Sequence, residues 1–472
     1  MLLGLFEWEK SLMEIFSIFL SITFLMFLAY RGFSVLVLSP MLALFAVFLS
    51  GGESLLAHYT QIFMVKLGDF ATIYFPLFLL SAVFGKIMES SGCAQSIADY
   101  ISEKIGSEHA ILAVVLSCAV LTYGGVSLFV VVFAVYPIAV GLFRKSNTPK
   151  RLIPGAIALG AFTFTMSAVP GTPAIQNIIP CQYFGTNAFA APVISIIATL
   201  IMIGFGMLWL NTQAKSARLA GEAYGDYIEK IMTNAKGTKI PNFWISFIPV
   251  VIVILTNYIC VKYVFPNIDT SYLQHEKYGS IDIKTVASNW AIIVSLFFAI
   301  VFVIATNYKK IDITKCINIG AQDSLSPIFN TASVVGYGAV ISSLPGFAMI
   351  RDWMLSFSGG NPIVSSSFVT SVLAGITGSA SGGMSIALEM LGAKYLEMAN
   401  ALGISPEIIH RVVSISSGSL DTLPHNGAVI TLLAICGLTH KDSYKDIFVT
   451  SLIGPILAVI VTIVLSSMFG LY

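Results

Sequence analysis

The sequence predicts an all-α polytopic membrane protein built from two inverted repeats, each with a re-entrant hairpin and a discontinuous helix. Three observations predict it: an apolar composition, a pattern that recurs at a near-constant offset, and matching loops of opposite charge character. Of 472 residues, 56% are hydrophobic and 10% are charged, against roughly 25% charged in soluble domains. Mean hydropathy is +0.87. The net charge of +1 leaves no basic face for nucleic acid.

Seven apolar runs are long enough to cross a bilayer, which takes about 20 residues per helix: 11–30, 33–50, 71–89, 185–210, 243–265, 289–305 and 446–469. Alternation of period two is absent, which argues against an outer-membrane barrel. The start of the chain carries Glu7 and Glu9 rather than a basic n-region, so 11–30 is expected to be a retained span. Six scattered cysteines never form CxxC and give no support to metal or redox chemistry. No cofactor is expected.

Lys and Arg gather in 144–151, 211–242 and 306–315, which the positive-inside tendency places in the cytoplasm. The repeat is read from ordered matches. "TYGGVSLF" at 122–129 resembles "ASGGMSIA" at 380–387, and "SAVPG" at 167–171 resembles "DTLPH" at 421–425. The offsets run from 253 for Gly85/Gly338 to 258 for Ser127/Ser385. The first repeat is therefore 1–210, with scaffold helices in 11–89 and a hairpin and broken helix in 109–180. A basic linker covers 211–242. The second repeat is 243–472, with a hairpin near 363–392 and a broken helix near 408–438. The basic connection 144–151 corresponds to 393–407, which has one lysine and two glutamates, so matching loops lie on opposite sides. Inverted repeats of this kind mark many secondary transporters.

Each half has two polar breaks. The hairpin tips are Gly124–Ser127 and Gly378–Ser385. The broken-helix loops lie within Thr163–Asn177 and Ser416–Gly427. Non-helical backbone at membrane depth is tolerated only where protein or a water-filled cavity receives it, so the four breaks are expected to share one chamber. Free N–H groups at half-helix starts suit an anion. The candidate substrate-binding residues are Gly124, Gly125, Ser127, Ser167, Gly171, Thr172, Gln176, Asn177, Ser381, Gly382, Gly383, Ser385, Thr422, His425 and Asn426. Ser127 and Ser385 are expected in the first turn of the second hairpin arms. Gln176 and Asn177 either coordinate substrate hydroxyls or bond to freed backbone. Asp421 and His425 are the ionisable pair of the second break, and Asp421 is the candidate proton-coupling residue, with or without His425. The other reading of Asp421 is a local cap. Glu389, four residues beyond Ser385, is a third ionisable candidate, with a structural place or the seam between hairpin and helix as its preferred reading, and His410 and Arg411 are assigned to the membrane interface. A passive channel and an intramembrane enzyme are weaker rivals. No GxSxG elbow occurs, and an aspartyl enzyme needs two facing carboxylates.

"TFTMSAVPGTPAIQNIIP" and "SSGSLDTLPHNGAVITLL" resemble the gluconate permease family of the ion transporter superfamily. Within it, the chain is nearest to permeases of short hydroxy acids such as 3-hydroxybutyrate. The resemblance covers most of the chain. It implies a symporter in the bacterial cytoplasmic (inner) membrane that couples a small carboxylate to protons, or alternatively sodium. It also implies a transport domain moving against a scaffold by an elevator motion, in a homodimer. Related dicarboxylate symporters carry Ser-Asn-Thr at their tips and bind sodium there. This chain has GGVS and SGGMS instead, which favours protons.

Overall fold

The computed structural model describes residues 2–31, 33–51, 54–126, 128–225, 227, 240–357, 360–424 and 426–469, and every element among them is helical. In the first half, α1 (Leu2–Tyr30) and α2 (Val35–Leu49) are followed by α3 (Leu55–Ala57), which runs through a π-helical turn into α4 (Met64–Ser90). Then come α5 (Cys93–Ile105), α6 (Ala110–Tyr123), α7 (Leu128–Lys145), α8 (Leu152–Ala161), α9 (Phe164–Ser167), α10 (Ile175–Phe184) and α11 (Pro192–Leu219). The second half follows the same order. It has α12 (Phe243–Ile259), α13 (Ile283–Asn307), α14 (Ile313–Ser343), α15 (Pro345–Phe357), α16 (Pro362–Thr377), α17 (Ala380–Ala401), α18 (Pro406–Ser417), α19 (Gly427–Cys436), α20 (His440–Phe448) and α21 (Gly454–Phe469).

The expected boundaries differ from this in three places. The span read as 71–89 begins at Leu55, because Lys66 and Asp69 interrupt its hydropathy without interrupting the helix. α14 is not among the apolar runs, since Gln322, Asp323, Ser324 and Ser326 punctuate it, yet it is a helix of 31 residues. α11 continues to Leu219, into the segment read as linker.

Side-chain caps mark many starts in the second half. Asn242, Asp282, Asp312, Asn361, Ser379, Ser405 and Asn426 each accept a backbone N–H at the start of their helix. Proline at the first helical position helps set α16 and α18.

Packing repeats the sequence symmetry. The long helices α4 and α14 pair with each other along the centre of the molecule. Around them, α2 packs on α14 as α13 packs on α4, and α1 on α15 as α12 on α5. Each hairpin arm also crosses to the other half: α10 packs on α17, and α19 on α7. One apolar core runs through both halves.

The basic segments collect at one end. Arg144 donates to Tyr227 O, Ser96 to Pro241 O, and Asn307 Nδ2 to Cys93 Sγ. There Arg151 bridges Glu222 at 2.9 Å and Asp446 at 3.0 Å. The hydrogen bond to Glu222 raises the Arg151 guanidinium above its already high ordinary value. Among the described residues five helices are long and apolar enough to cross a membrane, within Leu55–Ser90, Pro192–Leu219, Phe243–Val264, Ile283–Asn307 and His440–Met468, and the pairs α5–α6 and α14–α15 are each sharply bent, by 103° and 95°.

Candidate functional site

The first hairpin turns at Gly124 and Gly125. Gly125 sits at φ +85°, in the left-handed region that favours glycine, and this reverses the chain toward α7. Tyr123 Oη donates to Pro170 O at 2.8 Å, tying this tip to the first break. In that break one turn of helix, α9, stops at Ser167, and Pro170 and Pro173 prevent it from closing onto α10. The Gly171 N–H donates to Ala188 O at 2.8 Å.

At the second hairpin Ser379 caps α17, its Oγ accepting from Gly382 N at 3.1 Å. The arms meet closely: a Cβ at Gly383 would lie 2.1 Å from Ala374 N. The second break runs from Ser417 to Asn426. Asn426 accepts from Ala428 and Val429 and donates to Gly378 O at 3.0 Å and Asp421 O at 2.8 Å. It therefore ties the second break to the second tip.

α18 joins the halves. Ser414 Oγ and Arg411 Nη1 donate to Ser167 O at 2.8 and 3.2 Å. His410 lies between Thr186 Oγ1 at 2.6 Å and Asn177 Oδ1 at 3.3 Å. α18 thus links the first tip and break to the second break and tip, but, contrary to the expected single chamber, neither of the two cavities beside α4 and α14 is lined by the second tip or the second break.

Two cavities flank α4 and α14 toward opposite ends. The larger, about 700 Å³, is walled by the second half of α4, by Gln322–Pro327 of α14, and by Thr122, Gly125, Met166 and Pro173. Lys86, Glu89 and Asp323 line it toward the basic end. The smaller, about 540 Å³, lies between the first half of α4 and the elements α10 and α17. Here Lys66 pairs with Glu389 at 2.9 Å, and Tyr183 Oη also donates to Glu389. Glu389 therefore sits at a seam between α4 and the second hairpin.

Several buried polar atoms have no hydrogen-bond partner, among them Thr122 Oγ1, Gln176 Oε1, Ser385 Oγ and Asp421 Oδ1. Other candidates are committed elsewhere. Asn177 Nδ2 donates to Thr172 O and Ala188 O, both at 2.9 Å. Thr172 Oγ1 donates to Thr165 O at 2.7 Å, and Thr422 Oγ1 to Ser451 O at 3.1 Å. Gly382 and Gly383 both give their N–H to Ser379. Ser381 stands 3.5 Å from Thr331 of α14. Ser385 falls in the second turn of α17, not the first, because the helix starts already at Ala380. Ser127 and His425 lie outside the described residues.

The interface assignment of His410 and Arg411 is corrected: both are completely buried. Their partners are more than 220 residues away in sequence, so no local pattern marks them. Among the described residues no three His, Cys, Asp or Glu side chains gather as a metal group.

Residues 13–468 match the family model described as GntP family permease. A Bacillus subtilis (strain 168) protein named "Uncharacterized transporter YxjC" is 45% identical over 97% of this chain and 100% of its own. A Haemophilus influenzae protein, also named "Uncharacterized transporter", is 28% identical over 38% of this chain and 40% of its own. Among solved structures, the Alcanivorax borkumensis YdaH transporter, described as having an unusual topology, superposes with a TM-score of 0.52. It covers 87% of this chain and 89% of its own at 15% identity, a likeness of fold alone.

Proposed function

The chain belongs to the GntP family of permeases, and from that premise we propose that it is a proton-coupled symporter for a small hydroxy-monocarboxylate in the bacterial inner membrane. One observation carries the reading. The first hairpin tip and the first break wall the same cavity of about 700 Å³, a size within the roughly 300–1,000 Å³ of small-molecule sites. Thr122 lines this chamber, and its buried Oγ1 has no partner; Gln176, next to the wall beside Ile175, has a buried Oε1 that also lacks one. Both suit the carboxylate and hydroxyl groups of such an acid.

Asp421 is the proton carrier in this reading. A carboxylate at membrane depth is costly when charged and unpaired, and its Oδ1 has no partner. Protonation on one side of the membrane and release on the other removes that cost in step with the cargo. The two cavities on opposite ends of α4 and α14 support alternating access by movement of hairpins and breaks along that helix pair.

The test is uptake by proteoliposomes under an imposed pH gradient, with and without sodium. Accumulation of 3-hydroxybutyrate, lactate or gluconate without sodium is the expected result. If no such acid accumulates, the substrate class and the coupling ion are both wrong.

A further inference from the structure

Arg411 is completely buried in α18, and none of its four hydrogen bonds goes to a carboxylate. Nη1 donates to Ser167 O at 3.2 Å, Nε and Nη2 to Ala190 O at 3.2 and 3.0 Å, and Nη2 to Ala188 O at 3.4 Å. The neighbouring acid on the helix, Glu407, accepts instead from Ala191 N at 2.9 Å.

These carbonyls converge for a structural reason. Ser167 ends α9, so its oxygen has no helical partner across the break. Ala188 and Ala190 lie in the turn between α10 and α11, whose last residue, Ala191, sits at φ +45°. Three main-chain oxygens from two segments of the first half thus face one point. Converging carbonyls at half-helix ends are how membrane transporters and channels hold a dehydrated alkali ion. A guanidinium keeps its charge in any protein setting. Here it comes from the other half of the chain and fills that point. The repeat-related position in the first half, near 154–157, carries no basic side chain.

We propose that Arg411 is a tethered cation occupying the carbonyl site of the first break, so that this break takes no alkali ion. The proposal rests on the symporter reading for its meaning, because it leaves coupling to the second break, where Asp421 stands. Its test does not depend on transport.

Arg411→Gln removes the charge and keeps much of the length, while Arg411→Lys keeps the charge. Purified proteins are melted at constant ionic strength in sodium, lithium, potassium or choline chloride, and with added methylguanidinium. Wild-type melting should be indifferent to the cation. Arg411→Gln should melt lower and regain stability selectively with sodium, lithium or methylguanidinium over choline. In proteoliposomes Arg411→Gln should lose about tenfold or more of the uptake, while Arg411→Lys keeps most of it. The idea is overturned if Arg411→Gln melts alike in all cations, or if Arg411→Gln and Arg411→Lys behave alike in melting and uptake. A wild-type protein that transports nothing would refute the symporter reading and leave the melting result standing.

Discussion

At the first break, the chain from Ser167 to Thr172 has no ionisable group, and Thr172 spends its hydroxyl on Thr165 O. The positive charge there comes from Arg411, in the other half. At the second break the chain supplies its own charge, Asp421, whose Oδ1 has no partner. The backbone plan is the same: a helix stops, proline blocks its continuation, and a second helix starts after an extended cap residue, Ala174 or Asn426. The electrostatics are opposite. Repetition of a backbone interruption thus does not repeat its chemistry. A break with a permanent cation held by four hydrogen bonds is suited to rigidity, and one with a carboxyl group that keeps one oxygen without a partner is suited to change.

The strongest way to break this contrast is to neutralise its acidic member. Asp421→Asn should abolish accumulation driven by a pH gradient while substrate exchange across the membrane continues. Undiminished accumulation would remove Asp421 from the coupling role. Next come the two asparagines that brace the breaks. Asn177→Ala strips partners from Thr172 O, Ala188 O and His410 in a fully buried place, and should cost about 2–3 kcal/mol. Asn426→Ala removes the cap of α19 and should cost about 1–2 kcal/mol. Thermal melting of the two variants checks the order, and a reversal would show the second break to be the more tightly built.

A smaller effect separates a free hydroxyl from a committed one. Thr122→Val should raise KM for uptake about threefold to tenfold with melting unchanged. Thr422→Val, which loses its bonds to Ser451, should do the opposite. The smallest effect belongs to the seam. The Lys66–Glu389 pair is partly exposed, so Lys66→Met should cost no more than about 1 kcal/mol. Its readout is the labelling rate of an Ala393→Cys probe in the smaller cavity, compared with Ala174→Cys in the larger. Equal rates before and after the change would remove the pair from any role in which end is open.

The hairpins and breaks were legible because glycine, proline and hydroxyl residues interrupt apolar runs at matching offsets. α6 and α7, Ala110–Tyr123 and Leu128–Lys145, flank the first of these glycine-rich interruptions. Hydropathy failed where polar residues face a cavity: Gln322 and Asp323 hid α14, and they line the larger chamber. It failed again at Arg411, where a charge beside a helix start reads as solvated. What solvates it is the backbone of a distant segment, and one-dimensional pattern carries no trace of that contact. Asn177 was legible only as an alternative, and its bonds to Thr172 O and Ala188 O favour the backbone role.

The grip of Arg411 on Ser167 spans 244 residues, and this has a consequence for biosynthesis. A ribosome making the chain delivers the first interrupted segment long before its clamp exists. Until α18 emerges, the Ser167 oxygen, whose partners Arg411 and Ser414 both lie on that helix, must be hydrated or shielded by the insertion machinery. A nascent chain stalled before residue 411 should therefore be the stage most exposed to membrane proteases.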